Sequence, residues 1–139
     1  MPSKNALLTL RFQADPRRLR GVRSRLQALG EKLGCTHKQV SDLVMAVNEA
    51  CMNIMQHAYK GDRSGRIVLE VRRDGGELEV VLTDFAAPVE HREIGPRALH
   101  ELRPGGLGTH FIRATVDECS YGHLEGRSGN YVRMRKRIN

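Results

Sequence analysis

The segment from Thr36 to Tyr59 constrains the fold most, because its apolar residues recur every three or four positions. This spacing puts them on one face of an α-helix, which needs a second layer of structure to cover it. Thr36 followed by Gln39 forms a capping box, which predicts where the helix begins. The apolar face consists of Val40, Leu43, Val44, Val47, Ala50, Ile54 and Ala58.

Another helix is predicted just before this one. Asp15 supplies a side-chain acceptor at the helix start, and Pro16 occupies the first turn. Gly34 follows as the residue that ends the helix. The apolar residues between them again keep helical spacing: Leu19, Val22, Leu26, Leu29 and Leu33.

Strands account for the remaining regular segments. Residues 6–12, 66–72 and 78–83 are strand candidates, and Asp74-Gly75-Gly76 signals a tight hairpin between the second and third. Residues 118–124 and 130–138 predict a final hairpin that turns near Gly126 and Gly129. A further helix is predicted after Gly105-Gly106-Leu107-Gly108. The order predicts one α+β domain over residues 1–139, with helices on one face of a mixed, mostly antiparallel sheet.

Composition narrows the class of protein. The 139 residues carry a net charge of +7, which suits an acidic partner, a nucleotide or a nucleic acid. Direct nucleic acid binding is not expected, because the six aromatic residues are scattered and Trp is absent. No apolar run reaches the ~18 residues that span a bilayer, and the N-terminus lacks a signal-peptide pattern. We therefore expect a cytoplasmic protein with no membrane contact.

Three segments together predict an ATP site. Glu49 and Asn53 are one helical turn apart on a face of the helix away from its apolar residues. A carboxylate that accepts a proton therefore lies near an amide oxygen suited to Mg²⁺. Asp84 ends a strand, where it can accept a hydrogen bond from the adenine amine. The Gly105–Gly108 turn precedes a helix and lets backbone N–H groups approach phosphates.

These residues also resemble a known family. The run from Asn48 to Tyr59, NEACMNIMQHAY, resembles the N-box of the GHKL (Bergerat-fold) ATPases, and most of all that of anti-sigma factor serine kinases of the RsbW type. Asp84 falls where that family has the aspartate of its first Gly box, and Gly105-Gly106-Leu107-Gly108 is similar to its second. The resemblance spans residues 6–138 and implies a two-layer α/β sandwich.

The resemblance implies a function and a role for each residue. The chain would be an ATP- and Mg²⁺-dependent serine kinase that phosphorylates a STAS-type anti-anti-sigma protein. Many members also bind a sigma factor, and some form homodimers. A lid over about residues 85–104 would cover the nucleotide. Glu49 would be the catalytic base, Asn53 the Mg²⁺ ligand, Asp84 the adenine ligand, and Gly105, Gly106, Leu107, Gly108 and Thr109 the phosphate-binding segment.

Two departures from the family pattern keep an alternative open. Ala86 stands where the first Gly box has glycine, and Tyr131 stands where relatives often place a threonine near adenine. The alternative is a non-catalytic module of the same fold that responds to nucleotide and sequesters a regulatory partner. Separately, Arg133, Arg135 and Arg137 alternate along one strand face, where they either guard an exposed sheet edge or dock an acidic partner.

Overall fold

A single antiparallel sheet organises the protein. The computed structural model describes residues 5–88, 112 and 115–138. The strand order is β1-β2-β3-β5-β4, and all four neighbouring pairs are antiparallel. The α+β class is confirmed, but the sheet among these residues is wholly antiparallel rather than mixed. The strands are β1 (Ala6–Gln13), β2 (Arg66–Asp74), β3 (Glu77–Asp84), β4 (Glu118–His123) and β5 (Asn130–Arg137).

Both predicted N-terminal helices are present with the expected caps. A 3₁₀ turn at Pro16–Arg18 leads into α1 (Leu19–Lys32), and Gly34 follows in the left-handed region at φ +76°. The second helix, α2 (His37–Asn53), begins with the capping box: Gln39 N–H donates to Thr36 Oγ1 over 3.1 Å, and Thr36 N–H donates to Gln39 Oε1 over 2.8 Å. Local hydrogen bonding therefore fixes where α2 starts.

The helices cover one face of the sheet and enclose the core between them. Val47 and Cys51 of α2 are fully buried, as are Leu69, Val80 and Leu82 from the strands. Burial also raises the pKa of the Cys51 thiol to about 12, so this residue behaves as a small apolar side chain. Within the described ranges no helix is long and apolar enough to cross a membrane.

The other face of the sheet, which we call the open face, is lined largely by charged side chains. Residues of odd number in β3 and β5, such as Glu79, Val81 and Arg133, point to it because side chains alternate along a strand. Since β5 lies between β3 and β4, Arg133, Arg135 and Arg137 do not lie on a sheet edge. The first of the two interpretations of these arginines is therefore wrong. These arginines lie on an interior strand and face outwards from it.

Part of the predicted architecture lies outside the described residues. This applies to most of the irregular segment after Asp84, to the Gly105–Gly108 turn and to most of the helix predicted after it. Ile112 is helical and buried, and Val116 N–H donates to the Ile112 carbonyl over 3.1 Å. This bond agrees with a helix at the end of that predicted segment.

Candidate functional site

A cleft opens between the C-terminal end of α2 and the ends of β3 and β5. Asn53, His57, Asp84, Asn130 and Tyr131 are among the residues that line it. The cavity volume of the cleft is about 30 Å³, which is small beside the ~300–1,000 Å³ of common small-molecule pockets. Its lining combines apolar contacts with a few polar groups, as in a small-molecule site.

Asp84 is the charged group at the bottom of the cleft. Only 2% of it is exposed, and its Oδ1 accepts hydrogen bonds from Asn130 Nδ2 (2.9 Å) and from Ala86 N–H (3.0 Å). Burial raises the pKa of this carboxyl group, although hydrogen bonds from Asn130 and Ala86 act in the opposite direction. No lysine, arginine or histidine among the described residues forms an ion pair with it. The carboxylate is therefore held in place with acceptor capacity remaining.

Asn53 faces the same cleft from the last position of α2. The prediction that it lies on the helix face away from the core is wrong, because only 5% of it is exposed. Its Nδ2 is buried and has no hydrogen-bond partner among the described residues. A buried polar atom left without a partner costs about 1–3 kcal/mol. Such a group is available for contact with a molecule in the cleft.

The turn that follows Asn53 differs from an α-helix. Ile54–Ala58 form a π-helical turn, and Tyr59 N–H donates to the Ile54 carbonyl over 3.0 Å. One extra residue in this turn rotates the later side chains relative to α2. His57 consequently lines the cleft. Single π-turns often occur at functional sites.

Glu49 lies one helical turn before Asn53. Its side chain is half-buried and has no hydrogen bond or ion pair with any described residue. Residues four apart on a helix have Cβ atoms about 5–6 Å apart, so Glu49 is next to Asn53 on the helix surface. It is not one of the residues that line the cleft. The structure thus brings Asn53 and Asp84 together in the cleft and leaves Glu49 beside it.

Hydrogen bonds from two parts of the protein hold the segment after Asp84. Phe85 N–H donates to the Tyr59 hydroxyl over 2.9 Å, and this hydroxyl donates to the Arg66 carbonyl over 2.5 Å. From the other side, Ser128 Oγ donates to the Ala86 carbonyl over 2.7 Å. These bonds fix how the chain leaves β3.

Comparison with known proteins places this geometry in a family. The model of the histidine kinase-like ATPase domain matches residues 12–136. The chain belongs to the histidine kinase-like ATPase family. Within it, the serine-protein kinases named RsbW are similar over nearly their full length. The Listeria innocua protein is 32% identical over all of this chain and 92% of its own, and the Bacillus subtilis protein is 29% identical over 95% and 86%.

Solved structures agree on the fold of this ATPase domain. The structure of the RsbU and RsbW domains of a Mycobacterium tuberculosis protein matches with a TM-score of 0.68 and 22% identity, covering 94% of this chain and 31% of the other. A chain from the SiaB–SiaC complex of Pseudomonas aeruginosa matches with a TM-score of 0.72 and 16% identity, covering 95% and 90%. At these identities the matches support the fold alone.

The first departure from the ATPase family pattern proves harmless to the backbone. Among the described residues, Lys60 is the one non-glycine residue with a positive φ, so Ala86 adopts a conformation open to any L-residue. Asn130 Nδ2 donates to the carbonyl of the next residue, Ala87, over 3.1 Å. The loop that carries glycine in the family is therefore held here by side-chain hydrogen bonds.

The second departure concerns the residue next to Asp84. Tyr131, which stands where relatives often place a threonine, lines the cleft, and the side chain that bonds to Asp84 is that of Asn130. The Tyr131 ring packs where a Cβ on Gly122 would clash with it, and the Arg133 guanidinium lies 5.6 Å from its centre. Asp84 and Asn130 are direct cross-strand partners in the β3–β5 pairing, which sequence spacing alone does not reveal.

The phosphate-binding segment is not part of the described site. Gly105, Gly106, Leu107, Gly108 and Thr109 lie outside the described residues, as does the lid beyond residue 88. Their predicted roles remain predictions. The described portion of the site is thus the part expected to hold adenine and Mg²⁺.

Proposed function

We propose that this protein is an ATP-dependent protein-serine kinase that regulates transcription by partner switching and phosphorylates a STAS-type anti-anti-sigma protein in the cytoplasm. Its RsbW relatives are named serine-protein kinases. The observation that supports the proposal best lies in one cleft: among the described residues, the buried Asp84 has no cation beside it and the Asn53 Nδ2 has no hydrogen-bond partner. A sigma factor and a second copy of the chain are further partners in this proposal.

Asp84 is proposed to recognise adenine. With Oδ1 engaged by Asn130 and Ala86, the other carboxylate oxygen can accept a hydrogen bond from the exocyclic amine. The hydrogen bonds that hold the carboxylate keep it oriented before the ligand arrives, so less entropy is lost on binding.

Asn53 is proposed to hold Mg²⁺ through its amide oxygen. A single hard oxygen ligand suits Mg²⁺, which keeps several waters and shares its remaining positions with substrate phosphates. The described residues contain no cluster of three or more His, Cys, Asp or Glu side chains that could form a protein cage. Bound Mg²⁺ would neutralise phosphate charge. Asn53 would place it beside the cleft, near Glu49.

Glu49 is proposed to accept the proton of the substrate serine. Its half-buried carboxylate has no partner among the described residues, so it is available to an incoming hydroxyl group. The segment from Gly105 to Thr109 is proposed to bind the phosphates under a lid over about residues 85–104, with residues 1–139 acting as one domain. A non-catalytic binding module remains the second candidate, because Glu49 does not line the cleft.

The decisive experiment measures phosphate transfer and ATP binding on the same preparations. Glu49→Gln should keep ATP affinity but lose about 10²–10⁴-fold in transfer from labelled ATP to the serine of a purified STAS protein from the same organism. Glu31→Gln is the matched control, since it removes the same charge from an exposed position of α1.

Asn53→Ala completes this test. It should abolish Mg²⁺-dependent ATP affinity, whereas Asn48→Ala on the same helix should not. ATP binding without transfer by the unmodified protein would favour the binding module. Absence of any thermal shift at millimolar ATP would contradict both readings.

A further inference from the structure

The open face of the sheet has a depression at the end where β3 finishes. Its volume is about 500 Å³. Its lining includes the arginines Arg11, Arg66 and Arg127 and the apolar residues Val81 and Leu124. It lies on the opposite side of the sheet from the ATP cleft, apart from the site described above.

Three of these arginines have no charge partner in the described structure. Arg11, Arg66 and Arg127 make no side-chain hydrogen bond or ion pair with any residue in the described ranges. By contrast, Arg72 and Arg135 donate to Glu79 over 2.6 and 3.1 Å. The cationic character of the open face is therefore concentrated around the first three residues, where each guanidinium keeps its donors for an external acceptor.

An exposed aromatic residue lies among these cations. Phe85 is 38% exposed, and the Arg127 guanidinium lies 5.8 Å from its ring centre. Arginine and aromatic side chains are the types that contribute most to binding energy at protein interfaces. A depression that combines both is suited to a protein partner that brings carboxylates and an apolar side chain.

We propose that Arg11, Arg66, Phe85 and Arg127 form a docking surface for an acidic segment of a partner protein. Five arginines and two glutamates line the depression, so its charge favours an acidic occupant. A second copy of this chain would bring the same positive charge and be repelled. A nucleic acid is disfavoured because Glu70 and Glu79 lie among the arginines, and because Phe85 is the one aromatic residue among the described residues that line the depression.

The position of this surface gives docking a route to the ATP cleft. Phe85 directly follows Asp84, and its N–H is bonded to the Tyr59 hydroxyl. A partner that contacts Phe85 would therefore act on the segment that positions the adenine ligand. The docking surface itself does not depend on kinase activity, because it is defined by binding.

The test uses an acidic peptide as its probe. The fluorescent peptide carries Asp and Glu residues on both sides of a Leu-Phe pair, and a second peptide of the same length carries Asn and Gln instead. Triple replacement of Arg11, Arg66 and Arg127 by Gln should weaken binding of the acidic peptide about tenfold or more. The matched control replaces Arg20, Arg25 and Arg63, which are exposed elsewhere, and lowers the net charge equally. Thermal unfolding confirms that each variant is folded.

Phe85→Ala separates the apolar contribution from the charge. It should weaken the acidic peptide severalfold, whereas Met45→Ala, a change at another exposed apolar residue, should not. Raising the salt from about 50 to 300 mM should weaken binding to the unmodified protein more than to the triple variant.

Several results would overturn the proposal. Equal binding by the two triple variants would show that the effect depends on net charge and not on these three positions. If the acidic peptide does not bind up to millimolar concentration, the proposed docking surface does not exist. Tighter binding of a single-stranded DNA, lost in the first triple variant, would assign the surface to nucleic acid. A dimer that dissociates in that variant, seen by analytical ultracentrifugation, would assign it to a second copy. A loss of kinase activity with unchanged peptide binding would concern the proposed function and would not contradict the docking surface.

Discussion

Two carboxylates on the same strand are almost equally buried but lie in opposite electrostatic environments. Asp84 and Glu79 are 2% and 3% exposed, and their odd separation along β3 places them on opposite faces of the sheet. Burial raises the pKa of Asp84, and hydrogen bonds from neutral amides do not reverse this. Burial also works to raise the pKa of Glu79, but hydrogen bonds from Arg72 and Arg135 outweigh it, so the pKa is lowered.

This difference separates a functional carboxylate from a structural one. The charge of Glu79 is compensated within the fold by Arg72 and Arg135, with Arg133 at 3.8 Å. Asp84 has no such compensation from the described residues, so within this part of the protein its burial carries a cost that a ligand can relieve. Burial alone would not have distinguished them. The hydrogen-bond and ion-pair partners of the two carboxyl groups distinguish them.

The largest expected effect is on nucleotide affinity. Asp84→Asn should lower ATP affinity about 10- to 100-fold, because an amide NH₂ group would face the adenine amine, and a hydrogen bond to a charged group is worth about 1.5–3 kcal/mol. Glu79→Gln should leave affinity within about twofold, since Glu79 lies on the other face. Isothermal titration calorimetry measures both. Similar losses of ATP affinity in the two variants would contradict the different roles assigned to Asp84 and Glu79.

The second expected effect is on the stability of the protein without nucleotide, and here the larger change comes from replacing Glu79. Glu79→Gln should lower the free energy of unfolding by about 1–3 kcal/mol, because three guanidinium groups lose a charged acceptor. Asp84→Asn should leave stability unchanged or raise it, since the amide oxygen can still accept from Ala86 and the buried charge is gone. Urea denaturation measures both, with Glu125→Gln in an exposed turn as control. A larger loss for Asp84→Asn would contradict this assignment.

The pH dependence of stability should separate the residues further. Because the pKa of Glu79 is lowered on folding, its contribution is present above the ordinary carboxyl pKa and is lost as pH falls through the folded value. Because the pKa of Asp84 is raised, its contribution favours folding at low pH and is lost as pH rises through the folded value. Glu79→Gln should therefore flatten the acid side of the stability curve. Asp84→Asn should make the acid side of the curve steeper. Urea denaturation at a series of pH values measures both curves, and the same change of slope in the two variants would contradict the prediction.

The smallest expected effect comes from restoring the family glycine. Ala86→Gly should change ATP affinity less than about threefold and lower stability by about 0.4–1 kcal/mol, because the unfolded chain gains conformational freedom while no strain is relieved. The same calorimetric and urea titrations measure it. A large gain in affinity would show that the Ala86 methyl group obstructs the nucleotide.

Local signals predicted most of the fold. The Thr36–Gln39 capping box, the Asp15 helix start and the Asp74–Gly76 hairpin act over a few residues, so sequence spacing was sufficient for them. The strand order could not be predicted in this way, because β3 pairs with β5 across a long connection. For the same reason the prediction placed Arg133 on an edge.

The candidate site was predicted less completely, and each miss has a physical cause. Asn53 was expected on a face of the helix other than the apolar one, but it lies where α2 meets the ends of β3 and β5, a contact that helical spacing does not reveal. Asn130 was missed because its contact with Asp84 joins residues 46 apart in sequence. Motif matching identified Glu49, Asn53 and Asp84. It could not show that only the latter two line the cleft.

The burial of Cys51 makes this chain suited to a kinetic experiment on α2. With a thiol pKa of about 12, only about one molecule in 10⁵ would carry a thiolate at neutral pH. Alkylating reagents should therefore react with Cys51 only when the helix opens, while Cys35 and Cys119 are partly accessible. In a chain with Cys35→Ser and Cys119→Ser, Cys51 is the one remaining thiol. Its alkylation rate would then measure how often α2 opens at a position two residues from Asn53.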